Sequence, residues 1–97
     1  MTGKLKFDDL ARLSDHETQR LLREVDAKDC TVALKGASDA VNTKFLGNMS
    51  ERVRKVIKGE MERLGTMAPE EIEAAQQRIL KQAAQLGEQR EISWPPE

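Results

Sequence analysis

Few residues in this chain could carry covalent or metal chemistry, since it holds 1 His and 1 Cys among 97 residues. A structural zinc site takes four nitrogen or sulfur ligands, so His16 and Cys30 cannot form one between them. His16 stands in the first turn of an expected helix beside Asp15 and Glu17, where a side chain faces solvent. Cys30, with Val32, Ala33 and Leu34 close behind, reads as a buried thiol. A nucleophilic cysteine needs a nearby base, and this stretch offers none. No Gly-x-Gly-x-x-Gly, Walker loop or Gly-x-Ser-x-Gly turn occurs. The carboxylate clusters, Asp8-Asp9 and Glu70-Glu71, fall at expected helix starts, where capping accounts for them. The sequence points away from catalysis and implies no cofactor and no metal.

Charge patterning says more. Between Glu51 and Arg63 lie five basic residues (Arg52, Arg54, Lys55, Lys58, Arg63) and three acidic ones (Glu51, Glu60, Glu62). The same segment carries Val53, Val56, Ile57, Met61 and Leu64, at helical spacing. Such a helix buries one stripe and turns a ridge of mixed charge to solvent. That ridge is either an ordinary solvated face or a surface for an oppositely patterned partner, where charge steers encounter more than it supplies affinity.

These elements must sit in a small domain. With 16 basic and 17 acidic residues the net charge is −1, which removes the electrostatic case for nucleic acid or a membrane surface. No apolar run reaches the ~20 residues of a membrane span, and the start lacks the apolar region of a secretory signal. One cysteine excludes an internal disulfide framework and fits a reducing cytosol. The expectation is a soluble, cytoplasmic, single-domain protein over 1–97, ordered from about 5 to 92. With 2 Phe, 1 Trp and no Tyr, its core must be mainly aliphatic.

Helix formers dominate and strand-like alternation is nearly absent, which predicts an all-α bundle of about six short helices. The first spans about Phe7 to Arg12. The second opens on the capping box Ser14-Asp15-His16-Glu17 and runs to about Val25. Asp26 caps a third, about Ala27 to Leu34, ended by Lys35-Gly36. A fourth covers about Asp39 to Met49, and Ser50 caps a fifth that stops at Gly65. Pro69 suits the first turn of a sixth, which runs to about Leu86 and ends at Gly87. The remainder, Glu88 to Glu97, reads as a frayed tail. Short connections make consecutive helices close neighbours, in pairs of armadillo-like kind.

Several segments, taken in order, resemble one family: Phe7-Asp8-Asp9-Leu10, Leu21-Leu22-Arg23-Glu24-Val25-Asp26, Ala33-Leu34-Lys35-Gly36-Ala37-Ser38, Asn48-Met49-Ser50-Glu51-Arg52, Glu60-Met61-Glu62-Arg63-Leu64-Gly65 and Glu73-Ala74-Ala75-Gln76. The run is similar to the C-terminal domain of FliG, the flagellar motor switch family, over roughly Leu5 to Ile92. The resemblance implies an all-helical, non-enzymatic domain of the flagellar rotor. It implies a charged ridge that meets the cytoplasmic loop of the membrane-bound stator, so that ion flow becomes torque and motility. Other switch proteins are implied as further partners, at the basal-body face of the inner membrane.

Carried over residue by residue, the family's ridge charges fall on Lys35, Arg52 and Glu60. Two family positions differ: the first acidic residue of the pair is Gly59, and the basic residue after the break is Ala68. That break reads Gly65-Thr66, without its proline. Arg54, Lys55 and Lys58 are further candidates on the same helix. Gly59 costs about 1 kcal/mol against Ala in a helix interior, with no local gain visible in the sequence. The hinge Met-Phe-x-Phe of the family is reduced to Lys4-Leu5-Lys6-Phe7, and the family's N-terminal and middle domains lie outside the sequence. An alternative is a stand-alone regulatory or adaptor domain that binds another protein without generating torque. Weak self-association is expected through an apolar face that a preceding domain would otherwise cover.

Overall fold

The computed structural model describes residues 5–96, which form six helices and no strand. A 3-10 helix, Phe7–Arg12, is followed by five α-helices: α1 Asp15–Glu24, α2 Ala27–Lys35, α3 Asp39–Gly47, α4 Glu51–Leu64 and α5 Pro69–Glu88. The expected all-α architecture and element order are found, with boundaries shifted by one or two residues. Lys4 and its share of the hinge motif lie outside the described residues.

Helices α1 to α4 each start where an N-cap side chain satisfies open amides. Ser14 Oγ accepts the Glu17 amide at 3.1 Å while Glu17 Oε1 accepts the Ser14 amide at 3.0 Å, a complete capping box. Asp26 Oδ2 accepts the Lys28 and Asp29 amides, and Ser38 and Ser50 Oγ accept the amides of Val41 and Val53. Gly65 ends α4 at φ 60°, a conformation that favours glycine.

The core is built around α2, in which five consecutive residues, Cys30 to Leu34, are buried. Such a run wraps the whole circumference of a helix, so α2 needs neighbours on every side. Its most extensive packing is against α5, and α4 lies against it elsewhere. Leu10, Leu21, Val41, Phe45, Ala75, Ile79 and Ala83 complete the interior, all fully buried. Phe7 meets Phe45 edge to face, with ring centroids 5.9 Å apart. Two threonines are buried without cost to the bundle: Thr18 and Thr31 each donate to the carbonyl four residues earlier, at 2.9 Å.

Two expectations fail here. The apolar stripe of α4 is not core: only Ile57 is buried, while Val53 and Val56 are 46% and 59% exposed and Leu64 is exposed as well. The helix lies at the edge of the bundle with α2 as its main neighbour, so one narrow strip is covered. The frayed tail is not found either. Gly87 lies inside α5, whose end is a Schellman turn: the Arg90 amide donates to the Gly87 carbonyl and the Glu91 amide to the Leu86 carbonyl. Arg90 takes the left-handed position, at φ 61°. The chain then folds back, burying Ile92 and Trp94 to 6% and 7% exposure.

That return is held by two carboxylates on opposite ends of the contact. Glu91 accepts the Arg20 guanidinium at 2.8 and 3.2 Å, and Glu17 Oε2 accepts the Ser93 amide. Gly87 makes room, because the Trp94 carbonyl lies where a side chain at residue 87 would begin. Gly87→Ala must displace Trp94 backbone rather than a flexible side chain. The expected result is a loss of about 1–3 kcal/mol in urea unfolding and a red shift of the single tryptophan's emission.

Acid should release the same segment. The Ser14 amide, followed by the Ser93 amide, holds the Glu17 carboxyl below its ordinary value of 4.5, and the Arg20 guanidinium does the same for Glu91. Both are depressed in the folded state. Their stabilisation is therefore complete above the unfolded value and is lost as pH falls through the folded one. Trp94 emission is expected to shift red only below about pH 4.5, and a Glu17→Gln/Glu91→Gln double variant should show the shifted emission already at pH 7.

Candidate interaction surface

The candidate ridge is built on α4. Ser50 caps its start, and Arg54 reaches back from α4 to the α3–α4 link, where its Nε and Nη2 donate to the carbonyls of Leu46 and Met49 at 2.9 and 3.1 Å. Arg54 therefore faces inward and clamps the α3–α4 link. It is half-buried and is not part of the exposed ridge, which corrects its place among the additional candidates.

Lys35 has a second role. Its ammonium, at the end of α2, donates to the Met61 carbonyl at 2.9 Å. It ties the central helix to the C-terminal half of α4, beside Glu60, and is itself half-buried. Glu60 pairs with Arg63 at 2.8 Å on the same helix. Arg52 lies two turns earlier, about 12 Å along the axis. It is exposed and forms no ion pair or hydrogen bond among the described residues. Lys55 is exposed and pairs with Glu51 at 3.5 Å, and Lys58 is exposed. Arg52, Lys55 and Lys58 recur every three residues and so line one shallow strip of the helix.

Gly59 faces open space, with nothing within 4 Å of where a side chain would begin. The fifth family position, Ala68, is exposed at the N-cap of α5 and contributes no side-chain cap. The ridge as folded thus joins Arg52, Lys55, Lys58, Glu60 and Arg63 on α4, with Lys35 at its edge. It also carries Val53 and Val56, which the periodicity assigned to the core. Below it, a shallow groove runs between α2 and α4, its apolar floor of Ala27, Val56, Ile57 and Leu64 flanked by Lys28, Thr31 and Glu60.

The groups considered for chemistry lie elsewhere. His16 is exposed in the first turn of α1. Cys30 is buried, and burial pushes its thiol up to about 12, so it stays protonated near neutrality. Among the described residues no cluster of three or more His, Cys, Asp or Glu could hold a metal, and no helix is long and apolar enough to cross a membrane.

The fold is a small all-α domain with a charged helix, α4, mounted at its edge. The sequence matches the family described as FliG C-terminal domain over residues 4–93, and the chain belongs to that family. It is 42% identical over 86 residues to the flagellar motor switch protein FliG of Thermotoga maritima, covering 89% of this chain and 26% of the relative. The corresponding protein of Pseudomonas aeruginosa is 37% identical over 86 residues, covering 89% of this chain and 25% of its own length. The chain thus spans about a quarter of the length of these relatives. The crystal structure of residues 116–343 of FliG from H. pylori superposes with a TM-score of 0.89 at 31% identity, covering 91% of this chain and 39% of that one. Full-length FliG from Aquifex aeolicus gives 0.83 at 34% identity, covering 87% and 26%.

The contrast between Lys35 and Arg52 is measurable. Lys35→Glu loses a charge-assisted hydrogen bond and sets a carboxylate against a carbonyl, which should cost about 1–3 kcal/mol in thermal or urea unfolding. Arg52→Glu should leave stability unchanged or raise it by up to about 1–2 kcal/mol, since the residue is exposed and an acid suits a helix N-terminus where a cation does not.

Proposed function

We propose that this domain is a non-enzymatic interaction module of the flagellar rotor and switch complex, and that the α4 ridge engages the cytoplasmic loop of the stator during torque generation. Arg52 carries the reading. A cation in the first turn of a helix opposes the macrodipole, at a cost of roughly 0.3–1 kcal/mol, and nothing within the domain offsets that cost. An exposed, unpaired and mildly unfavourable charge is accounted for by a partner outside the chain. Lys35 and Glu60 add one charge of each sign at the other end of the ridge. Other switch proteins are the second class of partner in this reading, and the domain works on the cytoplasmic side of the membrane.

Gly59 and Ala68 favour a second reading on one specific point. With two of five family charges replaced by uncharged residues, the ridge offers fewer contacts, and an adaptor role without torque needs fewer. A titration of the chain with a stator cytoplasmic-loop peptide separates the two. At ~0.01 M ionic strength the screening length is ~30 Å and at ~0.15 M about 8 Å, so ridge-driven binding should weaken steeply between them. Arg52→Glu should weaken it about tenfold at low salt, while Arg54→Lys leaves the ridge charge unchanged. Absence of binding at low salt sinks the stator reading and leaves the adaptor.

A further inference from the structure

The apolar residues of α4 that miss the core fall on one flank. Val53, Val56, Ile57 and Leu64 follow one another at steps of three, one and seven, so they share a helix face. Ile57 is buried, while Val53, Val56 and Leu64 stay open to water. The groove between α2 and α4 continues beyond its first hollow. A second hollow, lined by Leu22, Val25, Cys30, Met49 and Val53, shares Ala27 and Ile57 with it, so one apolar channel follows α4. From Val53 to Leu64 the channel spans about three helical turns, roughly 16 Å. Contiguous exposed apolar surface of this kind marks a contact with another molecule.

Charge selects that molecule. Lys28 is the second residue of α2, and Arg52 is the second residue of α4. Each is a cation in the first turn of a helix, where it opposes the macrodipole. Each is exposed and has no ion pair among the described residues. Lys28 lines the channel, and Arg52 stands one turn before Val56 at its outer edge. The neighbouring carboxylates are engaged elsewhere: Asp26 on the open amides of α2, Asp29 on Arg78, Glu51 on Lys55 and Glu60 on Arg63. Two helices thus each set an unbalanced cation at the border of one apolar channel.

We propose that this channel takes an amphipathic helix with acidic flanks, its apolar side chains at i, i+3, i+4 and i+7 on the floor and its carboxylates against Lys28 and Arg52. The walls of the channel are helices whose backbone groups are already bonded. An incoming chain over an apolar floor must therefore satisfy its own backbone, which a helix does. The inference rests on the reading of α4 as a partner surface and adds what the partner presents there. Contact with Val53 and Val56 is apolar and unscreened by salt, whereas contact with Lys28 and Arg52 is screened. Charge then speeds the encounter, and the apolar contact slows departure.

The test uses the purified chain and three synthetic helical peptides rather than the stator loop, so its failure and that of the stator reading are distinguishable. The first carries leucines at i, i+3, i+4 and i+7 between glutamates. The second has the same composition with the leucine stripe scrambled, and the third has lysines in place of the glutamates. Titrations followed by the methyl resonances of Val53, Val56 and Leu64 are expected to show binding of the first peptide alone at ~0.15 M ionic strength. Val56→Ser and Lys28→Glu should each weaken it about tenfold, and Val56→Leu should keep it. Neither weakening variant should lower the melting temperature, because both residues are exposed. Equal binding of the scrambled or the lysine peptide overturns the proposal. So does full binding by Val56→Ser, or no binding of the first peptide. Should the stator loop fail to bind while the first peptide binds in the channel, the stator reading falls and this one stands.

Discussion

Burial of α2 on all sides from Cys30 to Leu34 is the constraint on which the rest of the domain depends. Where that segment ends, its carbonyls are shielded from water, so its neighbours must bring donors. Gln76 of α5 donates to the Ala33 carbonyl at 3.0 Å, and Asn42 of α3 to the Leu34 carbonyl at 3.1 Å. The Gly36 position, whose missing side chain would lie 2.6 Å from the Ile72 methyl, lets α5 come in close. The order of helices, the length of α5 and the tight α2–α3 turn all serve this one buried element. At the other end of α2, Arg78 of α5 holds Asp29 through two hydrogen bonds of 3.1 and 2.8 Å, fixing the angle between the two helices.

Against that interior, α4 is peripheral, and its position explains its composition. It covers α2 along the line of Ile57 and Met61 and leaves the rest of its circumference in water. Most of its charge therefore faces outward in reach of other molecules. Arg54 is the exception, and like Lys35 of α2 it serves the attachment of α4 to the body.

Much of this was legible in the sequence. The caps Ser14, Asp26, Ser38 and Ser50 and the terminator Gly65 located the helices because each acts on amides within a few residues of itself. The ordered segments from Phe7 to Gln76 identified the family and the ridge helix. What periodicity could not tell was whether a neighbour arrives. A stripe of Val53, Val56, Ile57, Met61 and Leu64 looks the same in sequence whether a second layer covers it or only α2 does. The C-terminal return was also hidden. Ile92 and Trp94 are two isolated apolar residues among charged ones and prolines, and their docking depends on Gly87, which looked like a helix end. Arg54 sits among other cations, and only the three-dimensional closeness of the α3 carbonyls sets it apart.

The attachment of α4 has a mechanical consequence. A rod is stiffest where its supports are, and the supports here are unevenly placed. Near its N-terminal end the helix is gripped by Arg54, whose guanidinium spans one carbonyl of α3, that of Leu46, and one of the α3–α4 link, that of Met49. At mid-length it rests on α2 through Ile57, and just beyond, the Lys35 tether reaches Met61. Past Leu64 comes only Gly65 and the link to α5. A sideways load at Arg52 falls next to the clamp and passes into the body with little bending, whereas the same load at Arg63 falls on an overhang that ends in glycine. The two ends of one charged face thus differ in compliance.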